Sequence, residues 1–368
     1  MNLLLISNIA PHYRAPIYKL IDKEFNCDFV FGDKVDNIKK MDYTQLNHQV
    51  TEVHNVFLKH CYYQKGVPSF INKDYDTYLI IGDVRCISTW LFLFSSIFYP
   101  RKRIYFWSHG STGKENWVKR VINRVFFSFC DGAFLYNETG RDLMIKQGYP
   151  QKKLVTIYNS LDYDIQLTIR NELEPSSLYQ EHFGNERKNI IFIGRLTKVK
   201  KFDILLDAIS HLKRQNVFLN LIFVGDGTER SYMESRVNEL GLREQVWFYG
   251  ACYDEKTNAD LIYNADLCVS PGNIGLTAMH VLMFGCPAIT NDDFKHQMPE
   301  FEAIKPHITG AFFHADDSVS LSEVIKKWLD EHDEEREKIR NACYKEIDEK
   351  WNPHNQIAIF KQVLEEQE

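Results

Sequence analysis

Two successive series of short apolar runs, separated by amphipathic stretches of helical length, constrain this chain most. The first series occupies residues 3–7, 27–31, 78–81, 104–107, 132–135 and 154–157; the second occupies 189–193, 219–224, 245–249, 267–270 and 286–290. Runs this short, apolar throughout and closed by Gly or polar residues, read as strands covered on both faces, hence as parallel sheets wound with helices. At 368 residues the chain is long for one domain and comfortable for two. The expectation is α/β, with two doubly wound parallel-sheet domains: 1–165, a polar linker at 166–187 containing Glu174-Pro175-Ser176-Ser177, and 188–345. The segment 346–368, broken at Trp351-Asn352-Pro353, reads as a C-terminal helix crossing back to the first domain. Open parallel sheets bind ligands beyond the carboxyl ends of their strands, so the active site is expected in an interdomain cleft.

The net charge of −6 conceals an asymmetry: residues 1–165 carry 21 Lys and Arg against 16 Asp and Glu, the remainder 23 against 34. A basic front half favours an anionic partner, a phosphate or a lipid surface. The eight cysteines show no CxxC and no metal-ligand spacing, so they read as reduced core residues of a cytoplasmic protein. Met1-Asn2-Leu3-Leu4-Leu5-Ile6 lacks a basic leader and reads as a strand. The longest apolar run, residues 87–99, is too short to span a bilayer.

Two motifs carry chemistry. In the run from Ile191 to Leu205, a strand delivers Gly194, Arg195 leaves its carboxyl end, and Lys200 follows just before a helix. A forked guanidinium and a point-charge ammonium together suit a diphosphate. In the second, a strand ends at Ser270 and the loop Gly272-Asn273-Ile274-Gly275-Leu276-Thr277 leads into a helix closed by Gly285. Small residues admit a ligand close to the backbone, and free N–H groups at a helix start attract anions.

These motifs resemble the family-four retaining glycosyltransferases (group 1, GT-B architecture, with two facing Rossmann-like domains). The matching spine comprises Gly194-Arg195-Leu196 with Lys200, Phe223-Val224-Gly225-Asp226-Gly227, Val246-Trp247-Phe248-Tyr249-Gly250, Asn264-Ala265-Asp266-Leu267 and Gly285-Cys286-Pro287. A looser N-terminal match includes residues 8–16, Trp107-Ser108-His109-Gly110 and Tyr158-Asn159-Ser160-Leu161-Asp162. The resemblance implies that Arg195 and Lys200 neutralise the donor diphosphate and that His109 reaches the donor sugar, these three being the catalytic candidates. It further implies that Gly194, Val224, Gly225, Gly250 and Ala251 line the nucleotide pocket, while Gly272, Asn273, Ile274, Gly275, Leu276 and Thr277 meet phosphate and sugar. The family usually carries two glutamates eight positions apart here, and this chain has Gly272 and His280 instead. His280 can still offer a ring nitrogen to a ribose hydroxyl.

For the acceptor, Arg14 is the candidate phosphate ligand and Asp83, at a strand end, a second contact. Residues 87–127 set Trp90-Leu91-Phe92-Leu93-Phe94 beside a basic amphipathic stretch, with seven basic residues and one acidic between Arg101 and Arg124; interfacial binding to an anionic membrane needs that pattern. Gly110-Ser111-Thr112-Gly113-Lys114 lacks a P-loop's first glycine and its Ser/Thr, and Gly225-Asp226-Gly227 lacks the third glycine of a dinucleotide fingerprint. Asp162-Tyr163-Asp164 has the spacing of a metal-binding triplet but sits at a domain edge, so no metal and no cofactor are expected, nor nucleic acid. The reading is a hexosyltransferase moving sugar from a nucleotide-sugar, UDP before GDP, to a glycan or polyprenyl-diphosphate-linked acceptor, with retention. It would build bacterial capsule or O-antigen polysaccharide at the inner face of the cell membrane. The alternatives are a non-catalytic nucleotide-sugar-binding protein of the same fold and, behind it, a nucleotide-sugar epimerase.

Overall fold

The computed structural model of the chain describes residues 1–36 and 38–365. It divides into two compact units, Met1–Asp162 with Asn352–Glu368, and Tyr163–Trp351.

The first unit contains strands β1 (Asn2–Ser7), β2 (Asn26–Gly32), β3 (Val50–Val53), β4 (Asn55–Phe57), β5 (Tyr62–Gln64), β6 (Thr77–Ile81), β7 (Arg103–Ser108), β8 (Gly132–Leu135) and β9 (Leu154–Thr156). Its helices are α1 (Ala15–Glu24), α2 (Ile87–Ser96), α3 (Trp117–Ser128) and α4 (Glu138–Lys146). Seven strands form a parallel sheet in the order β3-β2-β1-β6-β7-β8-β9, while β4 and β5 make a separate antiparallel hairpin. Leu3 pairs with both Cys27 and Thr77, so β1 is central and the strand order reverses beside it. Such a switch point opens a crevice at the strands' carboxyl ends. The core is aromatic, with Tyr18, Phe29, Phe31, Phe106, Trp107 and Phe134 all buried.

The second unit contains β10 (Asn189–Ile193), β11 (Asn220–Val224), β12 (Val246–Gly250), β13 (Leu267–Ser270), β14 (Ala288–Asn291) and β15 (Gly310–Phe313). Its helices are α5 (Tyr163–Arg170), α6 (Leu178–Phe183), α7 (Phe202–Arg214), α8 (Arg230–Glu239), α9 (Glu255–Asn264), α10 (Thr277–Met283), α11 (Ser318–Glu331) and α12 (Arg336–Glu349). Its sheet is parallel in the order β12-β11-β10-β13-β14-β15, with the reversal between β10 and β13.

The stretch 166–187, read above as a linker, is part of the second unit. Arg170 forks onto Asp348 at 3.0 and 2.9 Å, and Tyr179, 4% exposed, donates to the Leu261 carbonyl at 2.6 Å. A few anchors on short helices hold it, too sparse to show as an apolar run. The last helix, α13 (Pro353–Glu365), belongs to the first unit, whereas residues 346–351, assigned above to that helix, finish α12 and the second unit. Phe360 meets Trp107 and Phe134 at ring distances of 5.2 and 4.6 Å, and Gln356 accepts from Ser160 Oγ at 2.7 Å. Residues 366–368, the end of the segment assigned to that helix, lie outside the described residues.

Helices α2 and α3 touch through Trp90–Phe126 and Phe94–Phe129, and both leave apolar side chains in solvent. Ile87, Leu91, Phe94, Ile97, Phe98, Trp117, Val118, Val121, Ile122 and Val125 are exposed, Phe98 at 82% and Trp117 at 75%. These residues are therefore not core. Among the described residues, no helix is long and apolar enough to cross a membrane, every cysteine is a free thiol, and no three His, Cys, Asp or Glu side chains stand together as a metal site.

Candidate active site

In the second unit, the switch point brings the loops after β10 and β13 together. Arg195 leaves β10 with its side chain exposed and without a hydrogen-bond partner among the described residues. Thr197 to Lys200 then turn through a short 3-10 segment, and Lys201, in the left-handed region at φ 52°, starts α7. The turn carries Lys200 back under the second loop, where its ammonium donates to the carbonyls of Asn273 (2.5 Å) and Ile274 (3.3 Å). Burial, and then the neighbouring Arg195 charge, push the Lys200 amine down to about 8.

The loop after β13 is held from three sides. The Gly272 carbonyl accepts from Thr290 Oγ1 (3.1 Å), Asn291 Nδ2 (2.9 Å) and Gln297 Nε2 (3.1 Å). The Gln297 Oε1 accepts from the Ile274 N–H at 2.9 Å, and Thr277 Oγ1 donates to the Ile193 carbonyl at 3.0 Å. The backbones cross so closely that a Cβ on Gly272 would lie 2.0 Å from the Val199 oxygen. A glutamate therefore cannot stand at 272 while this crossing persists.

Three of the N–H groups assigned above to the donor have protein acceptors instead: Gly272 on Lys200 O (3.0 Å), Asn273 on Val199 O (3.4 Å), and Ile274 on Gln297. The N–H groups of Gly275, Leu276 and Thr277 have no acceptor among the described residues, so anion-binding capacity concentrates there, at the start of α10. Val224 and Ile274, at 1% and 0% exposure, are core side chains that can give a ligand only backbone. Gly194, Gly225 and Gly250 bring bare backbone to the carboxyl ends of β10, β11 and β12, with Gly194 N–H on Val224 O (2.9 Å) and Gly225 N–H on Gly250 O (2.7 Å). Ala251 follows, exposed.

His280 does not project alone. Its Nε2 lies 3.0 Å from Glu255 Oε1, which also accepts from Gln166 at 2.7 Å. Burial raises the Glu255 carboxyl, but the His280 and Gln166 hydrogen bonds outweigh it and leave the group below its ordinary value. Sequence reasoning missed Glu255, Gln166 and Gln297. Gln297 stands 23 residues beyond the loop it clamps, and no local pattern marks it.

In the first unit, a cavity of about 380 Å³ opens at the switch point, lined among others by Ser7, Arg14, Asp83, Trp107, His109 and Tyr136. The guanidinium of Arg14 lies over Trp107 (5.2 Å) and Tyr136 (4.9 Å). His109 stands exposed at the cavity's mouth, 4.7 Å from the Tyr136 ring. The protein around it, and then the Arg14 charge, hold its ring below the ordinary histidine value, against a smaller opposing pull from Asp83. Asp83 is gripped by Arg85, which donates Nε to Oδ1 (3.0 Å) and Nη2 to Oδ2 (2.9 Å). An acceptor would meet that neutralised pair, not a free carboxylate. Arg14, Asp83 and His109 thus share one cavity, while Arg195, Lys200 and His280 belong to the other unit.

Residues 178–346 match the family of Glycosyl transferases group 1. An uncharacterized glycosyltransferase of Methanocaldococcus jannaschii is 27% identical over 229 residues, 59% of this chain and 56% of that relative, so the match spans little more than half of the relative's length. Two solved structures are similar over the whole of both chains, each with a TM-score of 0.72. They are Alr3699/HepE of Anabaena in complex with UDP, 16% identical, and the apo form of the lipopolysaccharide outer core galactosyltransferase WaaB, 13% identical. At such identities the likeness establishes the fold, the two Rossmann-like sheets of GT-B glycosyltransferases.

Proposed function

We propose that this chain, whose residues 178–346 match the family of Glycosyl transferases group 1, transfers a hexose from a nucleoside diphosphate sugar to a lipid-linked or glycan acceptor. One observation carries the reading: an unpaired Arg195 stands beside a partly buried Lys200 and an anchored loop whose open N–H groups are those of residues 275–277. Negative charge grows on the departing diphosphate as the glycosidic bond breaks, and preorganised donors aimed at that charge lower the barrier. Arg195 supplies a fork, Lys200 a point charge, and residues 275–277 backbone dipoles. Clamped by Thr290, Asn291 and Gln297, the loop needs little reorganisation when the charge appears. On this reading no metal is required, the departing phosphate takes the acceptor proton, and the sugar keeps its configuration without a protein nucleophile. His109, neutral at physiological pH, serves as a hydrogen-bonding group for the sugar.

UDP is the proposed nucleotide, a reading that the UDP held by the HepE structure supports. The lipopolysaccharide substrate in WaaB's name likewise supports a surface polysaccharide. The exposed faces of α2 and α3, rimmed by Arg101, Lys119, Arg120 and Arg124, suit peripheral attachment to an anionic membrane at its cytoplasmic side.

Calorimetric titration of the full chain with UDP and GDP tests the donor, and release of UDP from UDP-glucose or UDP-galactose tests turnover. Binding of UDP over GDP, lost in Arg195→Gln, is expected. Unchanged binding and turnover in Arg195→Gln with Lys200→Gln would defeat the assignment. Tight binding without turnover on any lipid-linked acceptor would return the non-catalytic reading. Co-sedimentation with phosphatidylglycerol vesicles tests the surface: Trp117→Asp with Phe98→Asp should abolish it, and undiminished sedimentation would remove the membrane from the proposal.

A further inference from the structure

In the cavity of the first unit, the Arg14 cation meets the side chains of Tyr136 and Tyr18 but no counter-charge among the described residues. Arg14 has no carboxylate partner among the described residues, and its Nε is buried without an acceptor. The nearest candidate, Asp83, is already bound through both oxygens by Arg85. His109 adds no negative charge, and its proton is disfavoured beside Arg14. Enclosing an unpaired charge in protein is costly unless a ligand completes it. The aromatic faces of Trp107 and Tyr136 fix the guanidinium plane, so its fork is presented with little freedom to lose.

We infer that Arg14 is the seat of a phosphate group on the acceptor, bound in the first-unit cavity between the loop after β1 and the end of β6. This rests on the reading of the first unit as the acceptor domain. The same cavity is walled on one side by Asn123 and Phe127 of α3. The opposite face of that helix exposes Trp117, Val121, Ile122 and Val125. One helix thus borders the anion seat and carries the apolar surface, which is the juxtaposition a phosphate on a lipid requires. A soluble sugar phosphate shares the headgroup chemistry but uses only the cavity.

The test is calorimetric titration of the full chain with inorganic phosphate and with farnesyl phosphate below its micellar concentration, in the Arg195→Gln background to silence the second-unit phosphate site. Saturable binding is expected, weakened about ten-fold or more by Arg14→Gln, as the loss of a charge-assisted contact implies. Arg14→Lys, which keeps the charge but not the fork, should fall between, with an unchanged circular dichroism melt excluding misfolding. Farnesyl phosphate binding tighter than inorganic phosphate assigns the group to a lipid; equal binding assigns it to a soluble phosphorylated acceptor. Phosphate binding indifferent to Arg14, or no saturable binding of either probe, overturns the inference. Arg14-dependent phosphate binding in a chain that never binds UDP would leave this seat standing and defeat the donor assignment instead.

Discussion

The crossing of the two donor-side loops makes Gly272→Ala the most informative perturbation. A Cβ at this position would lie 2.0 Å from the Val199 oxygen, 2.7 Å from the Lys200 Cα and 2.8 Å from its carbonyl carbon. Carbon and carbonyl oxygen ordinarily approach to about 3.3 Å, so the two backbones must part by about 1.3 Å. That movement breaks the Gly272 N–H bond to Lys200 O, now 3.0 Å, at about 1 kcal/mol. It also strains the carbonyl that Thr290, Asn291 and Gln297 hold, and overpacking of this kind costs roughly 1–3 kcal/mol. The sum is about 2–4 kcal/mol, which for a unit of this size lowers the melting temperature by roughly 5–15 °C. Differential scanning calorimetry should find that loss in the second unit's transition, with a parallel loss of UDP affinity as Lys200 moves off the loop. Gly66→Ala is the control: its φ is 82° but nothing lies within 4 Å of the added carbon, so only the left-handed backbone, about 1–2 kcal/mol, acts against it. Gly272→Glu, which restores the carboxylate familiar from the resemblance, should be as destabilised as Gly272→Ala and gain no activity. A Gly272→Ala protein that melts within about 2 °C of the parent and binds UDP equally would refute the reasoning.

Three further outcomes follow from the geometry. Lys200 titrates near 8, below the ordinary lysine value, so it carries its charge below that pH and loses it above; UDP affinity should fall as pH rises through about 8, and an inflection that survives in Lys200→Gln would contradict this. His109 is held below its ordinary value, so it is neutral at pH 7 and protonates only further into acid; initial transfer rates should show no limb between pH 6 and 7 that His109→Gln removes. Gln297→Leu strips the hydrogen bonds to Ile274 N, Gly272 O and Thr290 Oγ1 and leaves buried polar groups unpaired, a cost of about 2–4 kcal/mol in urea unfolding; a loss under about 1 kcal/mol would mean that the clamp is redundant.

The alternation of buried runs with amphipathic stretches marked the main strands because a central parallel strand is apolar on both faces; β7, buried from Ile104 to Ser108, is the clearest example. Elements with fewer apolar residues escaped. The strands β3, β4 and β5 are only three or four residues long, with polar residues among them, and β15 is only Gly310–Phe313. The polar segment 166–187 read as a linker because its anchors, Arg170 and Tyr179, act through long-range partners. Within the site, residues at strand ends were legible, since a glycine or a cation just beyond a buried strand adds nothing to the core and is free to meet a ligand. Their partners were not: Gln297, Glu255 and Arg85 reach their targets through folding and carry no local signature.

That distinction bears on the two positions where this chain departs from the pattern it resembles. Read from sequence, Gly272 and His280 look like two independent losses of a carboxylate, which favours a protein that has given up turnover. In the fold they are two accommodations of different kinds. Gly272 permits the backbone crossing that seats Lys200 beneath the loop, so the missing side chain goes with a tighter hold on the charge that must be met. His280 is paired with a carboxylate on α9, Glu255, which the ring and Gln166 hold below its ordinary value. A decaying donor site would be expected to lose Arg195 first, because the fold does not need it: its side chain has no hydrogen-bond or ion-pair partner among the described residues, and a solvent-exposed cation with no partner is replaced at little cost to stability. Its presence at the end of β10, beside a partly buried lysine that the fold desolvates at a cost, fits a ligand that uses both.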